Sequence, residues 1–131
     1  MTQSTTQLPE LMHEDLTGAI RQTAFEVHRY FGNGFLEKIY EGALENRLRK
    51  KGHSVARQVP LEVTDEDGTA VGHYNVDLLV DDVVLLEVKA VRQLVSEHHA
   101  QILNYLKATG IRVGMLINFG ATRIQIKRFT V

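Results

Sequence analysis

Asn75-Val76-Asp77-Leu78-Leu79-Val80-Asp81-Asp82-Val83-Val84-Leu85-Leu86-Glu87-Val88-Lys89-Ala90 reads as two apolar strands joined by an acidic turn. Apolarity is nearly continuous from Val83 to Ala90, the mark of a strand covered on both faces. Glu87 and Lys89 interrupt it. Side chains alternate along a strand, so these two point to one face, a pleat apart. Unpaired charges buried there cost on the order of several kcal/mol each, so they must pair, shift their pKa values or hold a metal. The turn at Asp81-Asp82 folds Asn75 to Val80 back on Val83 to Ala90 as an antiparallel hairpin, which brings Asp77 near Glu87. Two carboxylates and a lysine then converge. Taken alone, the simpler reading of a Glu-x-Lys strand is an ion pair on a solvated face.

A chain of 131 residues is expected to form one domain with a sizeable core and no need of cross-links. It has no cysteine, which excludes disulfides, zinc–thiolate sites and thiol catalysis and suits a reducing compartment. No apolar run reaches membrane-spanning length, and the start MTQSTTQLPELMHED has neither the basic nor the apolar part of a secretion signal. A cytoplasmic protein with no membrane contact is the expectation. With 15 basic and 16 acidic residues the chain is not one that coats nucleic acid, so any such contact must be local. Basic residues cluster at Arg47, Arg49, Lys50, Lys51 and Arg57, and again at Arg123, Lys127 and Arg128, either as solvated surface or as phosphate contacts.

Residues 1 to 12 are polar, contain Pro9 and lack periodicity, so they read as a flexible tail before a domain over 13–131. Asp15 or Thr17 is expected to cap a first helix whose apolar face is Leu16, Ile20, Ala24, Val27 and Phe31. Gly32-Asn33-Gly34 ends it, and a second helix presents Leu36, Ile39, Tyr40, Ala43, Leu44 and Leu48 before a glycine stop at Gly52. Val55, Val59, Leu61 and Val63 alternate as a half-buried strand that Pro60 puts at an edge. Asp65-Glu66-Asp67-Gly68 turns the chain into the strand that ends at Val80. After Ala90 the spacing predicts a third helix carrying Leu94 or Val95, His99, Ile102, Leu103 and Leu106, closed by Gly110. Val113 to Phe119 reads as a central strand and Arg123 to Phe129 as an edge strand with Ile124 and Ile126 facing in. The order is helix, helix, three strands, helix, two strands: an α/β (α+β) mixed five-stranded sheet flanked by helices, with a parallel crossover through the third helix.

The run Asp77, nine residues, Glu87-x-Lys89 resembles the signature of the PD-(D/E)xK nuclease superfamily, and the element order resembles its restriction-endonuclease-like αβββαβ core. Gly34-Phe35-Leu36-Glu37-Lys38-Ile39-Tyr40 fits Gly-x-x-Glu-x-x-Tyr, the motif of the GxxExxY protein family within that superfamily. Val27-His28, Ala43-Leu44, Asp77 to Val80, Glu87 to Val91, Gln101 to Ala108 and Asn118-Phe119-Gly120 also look like that family's blocks in order, from about residue 16 to the end.

The resemblance implies a Mg2+-dependent nuclease, with Mn2+ able to substitute, that hydrolyses phosphodiester bonds in nucleic acid, DNA before RNA. It implies Asp77, Glu87 and the Val88 carbonyl as metal ligands, with Glu37 of the second helix adding a further acidic group directly or through water. A favourable charge at a helix N-terminus also explains Glu37. Lys89 would orient the attacking water or stabilise developing negative charge, since neighbouring carboxylates oppose the lowered pKa that a base needs. Gln101 and Tyr105, four apart on one helix face, resemble the Gln-x-x-x-Tyr extension beside the metal site of recombination-type exonucleases. Tyr40 is expected to pack in the core with its polar tip near the site. His28 is a secondary candidate because the family block includes it, His98 and His99 read as hydrogen-bonded helix histidines, and Asn118 as a group that satisfies backbone at a strand end. The other reading is a catalytically silent nucleic-acid-binding or protein-interaction module on the same fold. A homodimer or a partner protein is expected to complete the substrate surface of so small and near-neutral a chain.

Overall fold

The computed structural model describes residues 12–131; apart from Met12, the expected N-terminal tail lies outside the described residues. The elements run α1 (Glu14–Phe31), α2 (Glu37–Lys50), β1 (Val55–Thr64), β2 (Ala70–Val80), β3 (Val84–Lys89), α3 (Ser96–Thr109), β4 (Val113–Asn118) and β5 (Gln125–Thr130). The five strands form one mixed sheet in the order β1-β2-β3-β4-β5. Only β3 and β4 are parallel, joined through α3. Alternation along the strands divides the core in two. Val84, Leu86, Val88, Val113, Met115 and Ile117 pack under α1 and α2, whereas Leu85 and Leu116 pack against Ile102, Tyr105 and Leu106 of α3. Helices thus cover both faces of the central strands, which is why β3 and β4 read as unbroken apolar runs.

Turn chemistry sets the ends. Gly32 stops α1 with φ 68, its N–H bonded to the His28 carbonyl at 2.8 Å. At the end of α2 the Gly52 N–H bonds Arg49 O at 3.0 Å and the His53 N–H bonds Leu48 O at 3.1 Å, the paired closure a left-handed glycine permits. Asp81 and Asp82 have φ 51 and 60, and the Val83 N–H returns to Val80 O at 3.1 Å, a two-residue hairpin turn with both central residues left-handed. Asp81 is held there by the Ser54 N–H and by His53 Nδ1, both at 2.8 Å, which keeps its carboxyl below the usual range.

Several local expectations are corrected. α1 starts at Glu14 behind His13, without a side-chain cap, and the Thr17 hydroxyl instead donates to Glu14 O at 3.1 Å. Glu14 and Asp15 favour the helix start by charge against its dipole. On α2 the buried stripe is Tyr40, Glu41, Leu44 and Leu48, leaving Leu36 and Ile39 exposed, because Glu41 is drawn to β1 by an ion pair with Arg57. α3 starts after Leu94 and Val95, at Ser96, where the Val95 N–H donates to His98 Nδ1 at 3.1 Å. Val55, Val59 and Leu61 do not share a face: Val55 lies under α1 and α2, Val59 and Leu61 towards α3. The change occurs at Gln58, whose φ of 53 is left-handed in mid-strand.

Beyond β3 the sheet continues as a two-stranded ribbon, since β2 pairs with β3 only through Leu78, Leu79 and Val80 but with β1 along almost its whole length. At the other end of β3, Asn118 ties down the chain leaving the sheet. Its Oδ1 accepts the Val91 and Gly120 N–H groups at 2.9 and 3.0 Å, and its Nδ2 donates to Val91 O at 2.9 Å. Gly120 passes so close that a Cβ there would lie 2.3 Å from Val91 N and 2.4 Å from Ala90 C. Gly120→Ala is therefore expected to cost about 3 kcal/mol in urea unfolding. Gly18→Ala, on the open side of α1 with nothing within 4 Å of the new methyl, is expected to add roughly 0.5–1 kcal/mol in the same measurement.

Candidate active site

The β2–β3 ladder stops at the Leu78–Leu86 rung, where β2 departs into the ribbon. Parting strands strand their N–H groups, and a buried N–H without a partner is costly. Here two carboxylates take them. The Asp77 N–H donates to Glu87 Oε2 at 2.9 Å, and the Val88 N–H donates to Asp77 Oδ2 at 2.8 Å. Each acid commits one oxygen to the other strand's backbone and keeps its second. A strand residue sends its N–H and C=O to the same side, so the Val88 carbonyl also faces this gap. Asp77, Glu87 and the Val88 carbonyl are thereby brought together.

Glu87 and Lys89 share the α3 side of the sheet. Lys89 Nζ lies 3.4 Å from Gln101 Oε1, and Tyr105 of the same helix face is buried beside Tyr74, ring centroids 4.9 Å apart. Burial, then the charge of Glu87, pushes the Tyr105 hydroxyl up to about 12, so it keeps its proton as a donor at ordinary pH. Glu37 is exposed and lines an open cleft of about 530 Å³ with Lys38, Glu41, Arg57, Gln58 and Asp77.

Tyr40 and His28 are turned elsewhere. The Tyr40 ring stacks on Phe119 at 4.6 Å, its hydroxyl donates to Gly32 O at 2.6 Å and accepts the Phe35 N–H at 3.2 Å. His28 Nε2 bonds Ala121 O at 3.0 Å, fastening the β4–β5 loop to α1. His99 lies against Phe129, centroids 5.6 Å apart.

Two residues at the cleft, Glu41 and Gln58, were not singled out from the sequence, and a third, Arg57, was read only as one of a basic cluster. Glu41 is buried and accepts from Arg57 Nε at 2.9 Å and from Gln58 Nε2 at 2.7 Å. The spacing of four from Glu37, on a stripe continuing to Leu44 and Leu48, was a usable signal for it. Arg57 belongs to the first basic cluster, most of which is matched internally. Lys51 lies 3.0 Å and Arg47 4.0 Å from Glu26, Arg49 3.3 Å from Glu45, and Arg57 3.6 Å from Glu45.

Burial is the main reason both central acids resist ionisation. It raises Asp77 to about 6, with Glu41 adding repulsion, and raises Glu87 to about 8, with Asp77 adding repulsion. Their backbone donors and Lys89 offset only part of this. Carboxylates desolvated and crowded in this way are an incomplete charge set that a cation completes. Among the described residues no three His, Asp or Glu side chains form a ready-made cage. Two carboxylates and a carbonyl are hard oxygen donors all the same, and they fit an ion that keeps several of its own waters, as magnesium does.

A family model for the PD-(D/E)XK nuclease superfamily matches residues 14–129. The solved structure of SSO0001 superposes with a TM-score of 0.57 at 17% identity, covering 93% of this chain and 61% of that one; the likeness is one of fold. No curated protein matches the chain.

The raised acids give stability a definite pH slope in metal-free protein. Unfolded, these groups ionise near the ordinary values of 3.8 and 4.5 for exposed carboxyls; folded, they do so only at about 6 and about 8. Folded protein therefore holds more protons between about pH 4 and 8, and the stability these groups contribute at low pH is lost as pH rises through that window. Glu87→Gln is expected to melt several degrees above wild type at pH 8, with the gap closing by pH 5, in thermal scans with chelator present.

Proposed function

The chain belongs to the PD-(D/E)XK nuclease superfamily, and on that premise we propose that it is a magnesium-dependent nuclease of the GxxExxY type acting on DNA. The observation that carries the proposal is the parting of β2 from β3, where Asp77 and Glu87 exchange backbone donors with a lysine and a glutamine alongside. Asp77, Glu87 and the Val88 carbonyl would hold the ion, with Glu37 at the cleft rim reaching it through water. When bound, such an ion neutralises phosphate charge and makes a water acidic enough to attack at neutral pH.

The remaining work falls to the chain's own groups. Phosphodiester hydrolysis adds water oxygen to phosphorus, breaks a phosphorus–oxygen bond and returns a proton to the leaving oxygen. Lys89, its ammonium held towards Gln101, meets the negative charge that builds on the phosphate oxygens, a preset electrostatic contribution that costs no reorganisation. Protonated Tyr105 donates to substrate or its water from the α3 side. With Arg47, Arg49, Lys51 and Arg57 matched by glutamates, little bare cationic surface remains in that cluster to grip a long duplex. That supports a second copy or a partner protein as the source of further substrate contacts.

Calorimetric titration with Mg2+ and Mn2+ on wild type and Asp77→Ala, with melting on the same samples, tests the metal site. Wild type is expected to bind and the variant not to, with a smaller loss of melting temperature at pH 8 than at pH 5, because relief of the buried repulsion at the higher pH offsets the lost acceptor for the Val88 N–H. Lys89→Ala is expected to keep metal binding and lose about 10²–10³ in cleavage rate on DNA. No metal binding by wild type together with a large stability loss in Asp77→Ala would leave a structural charge cluster on a non-catalytic module.

A further inference from the structure

Away from the bulge near the ribbon tip between Val63 and Thr64, Gln58 and Asp77 form the rung at which β1 and β2 fail to pair. The register runs from Val55↔Val80 through Arg57↔Leu78 and resumes unchanged at Val59↔Val76, so no residue is inserted. What departs is the backbone of Gln58 itself, left-handed at φ 53, a conformation a glutamine adopts at a cost and one that persists only where its surroundings impose it. Both strands change face at this rung. Leu78 and Val80 pack under α1 and α2, whereas Val76 and Val59 pack with α3.

One result of the flip is that two consecutive side chains point the same way. Strict alternation would send Arg57 and Gln58 to opposite faces. Instead both reach α2: Arg57 Nε bonds Glu41 Oε1 at 2.9 Å and Arg57 Nη2 bonds Lys38 O at 3.1 Å, while Gln58 Nε2 bonds the same Glu41 oxygen at 2.7 Å. That amide nitrogen also stands 3.4 Å from Asp77 Oδ1, the oxygen that Asp77 does not commit to Val88. An amide NH2 has two hydrogens and no charge. It can therefore face two carboxylates at once, tying a helix acid to a strand acid, without neutralising either as a lysine would.

We propose that Gln58 is a positioning residue of the metal site: its side-chain amide clamps Asp77 to Glu41 and presets the Asp77 carboxylate for the ion. The inference rests on the functional reading above, since it assigns a role towards the ion that Asp77 would hold. A backbone conformation that disfavours most side chains is kept at this rung because it delivers the amide. Substitution of groups that orient metal ligands commonly weakens metal affinity about 10–100-fold, and Gln58 is expected to fall in that range.

Gly and Asn separate the side chain from the backbone. Both accept left-handed φ, but glycine has no amide and the asparagine amide is one methylene too short to span both acids. Full-length wild type, Gln58→Gly and Gln58→Asn are titrated with Mn2+ by calorimetry and melted with chelator present. The expected result is wild-type or higher melting temperature in both variants and a loss of Mn2+ affinity of about 10-fold or more. Wild-type affinity in either variant would overturn the clamp and leave the metal site standing. A fall in melting temperature in both variants with Mn2+ affinity intact would overturn it too, by assigning Gln58 to fold stability alone. If wild type itself takes up no Mn2+, the metal-site reading fails first and the clamp falls with it.

Discussion

The structure turns on two hydrogen bonds made where a sheet comes apart. β2 must leave β3 to form the ribbon with β1, and each strand is left with an N–H facing the gap. Water would satisfy them at a surface, but here burial is deep enough that Glu87 is only 4% exposed. The carboxylates of Asp77 and Glu87 act as substitute ladder acceptors across the opening. The acids are thus fixed by the same bonds that close the sheet, and their proximity is a product of the fold rather than of two free rotamers. The same arrangement concentrates negative charge in a desolvated place, which is why both groups hold protons so far above their ordinary range.

Around this opening each element supplies one kind of help. β3 carries Glu87 and Lys89 on one face and, through Val84, Leu86 and Val88 on the other, anchors them in the core. α3 lies close to β4 because Gly114 has no side chain; a Cβ there would meet Ile102 and Leu106 at 3.1 Å. That closeness lets Gln101 and Tyr105 reach the charged face. α2 approaches from the opposite side of the sheet and contributes Glu37 and Glu41, and the flip at Gln58 lets β1 meet them.

Much of this was legible in the residues. The acidic hairpin, with apolar strands either side of Asp81-Asp82, determined that Asp77 and Glu87 face one another, and period-two alternation put Glu87 with Lys89. The four-residue spacing of Gln101 and Tyr105 put them on one helix face. What stayed hidden depends on tertiary contacts. Glu41 drew no reading from the sequence, because its partners Arg57 and Gln58 lie 16 and 17 residues away. The left-handed Gln58 is marked in the sequence only by Arg57, which breaks the apolar alternation between Val55 and Val59, and one charged residue in an edge strand does not reveal that Val55 and Val59 face different layers. The start of α1 was misjudged because Asp15 and Thr17 are good caps in isolation, whereas the helix runs on to Glu14.

The ribbon that frees Asp77 from its ladder also leaves β2 with an unpaired edge from Ala70 to Asn75 beside the exposed Val71 and Tyr74. Such an edge is a template for adding a strand from another molecule. Pro60 removes a donor from the outer strand, and Glu62, Asp65, Glu66 and Asp67 give the tip a charge that repels a like copy. Colloidal behaviour and the carboxylate site therefore have a common origin: the departure of β2 that opens the carboxylate gap creates a sticky edge, and the acidic tip keeps it apart for as long as its charge is not screened by salt.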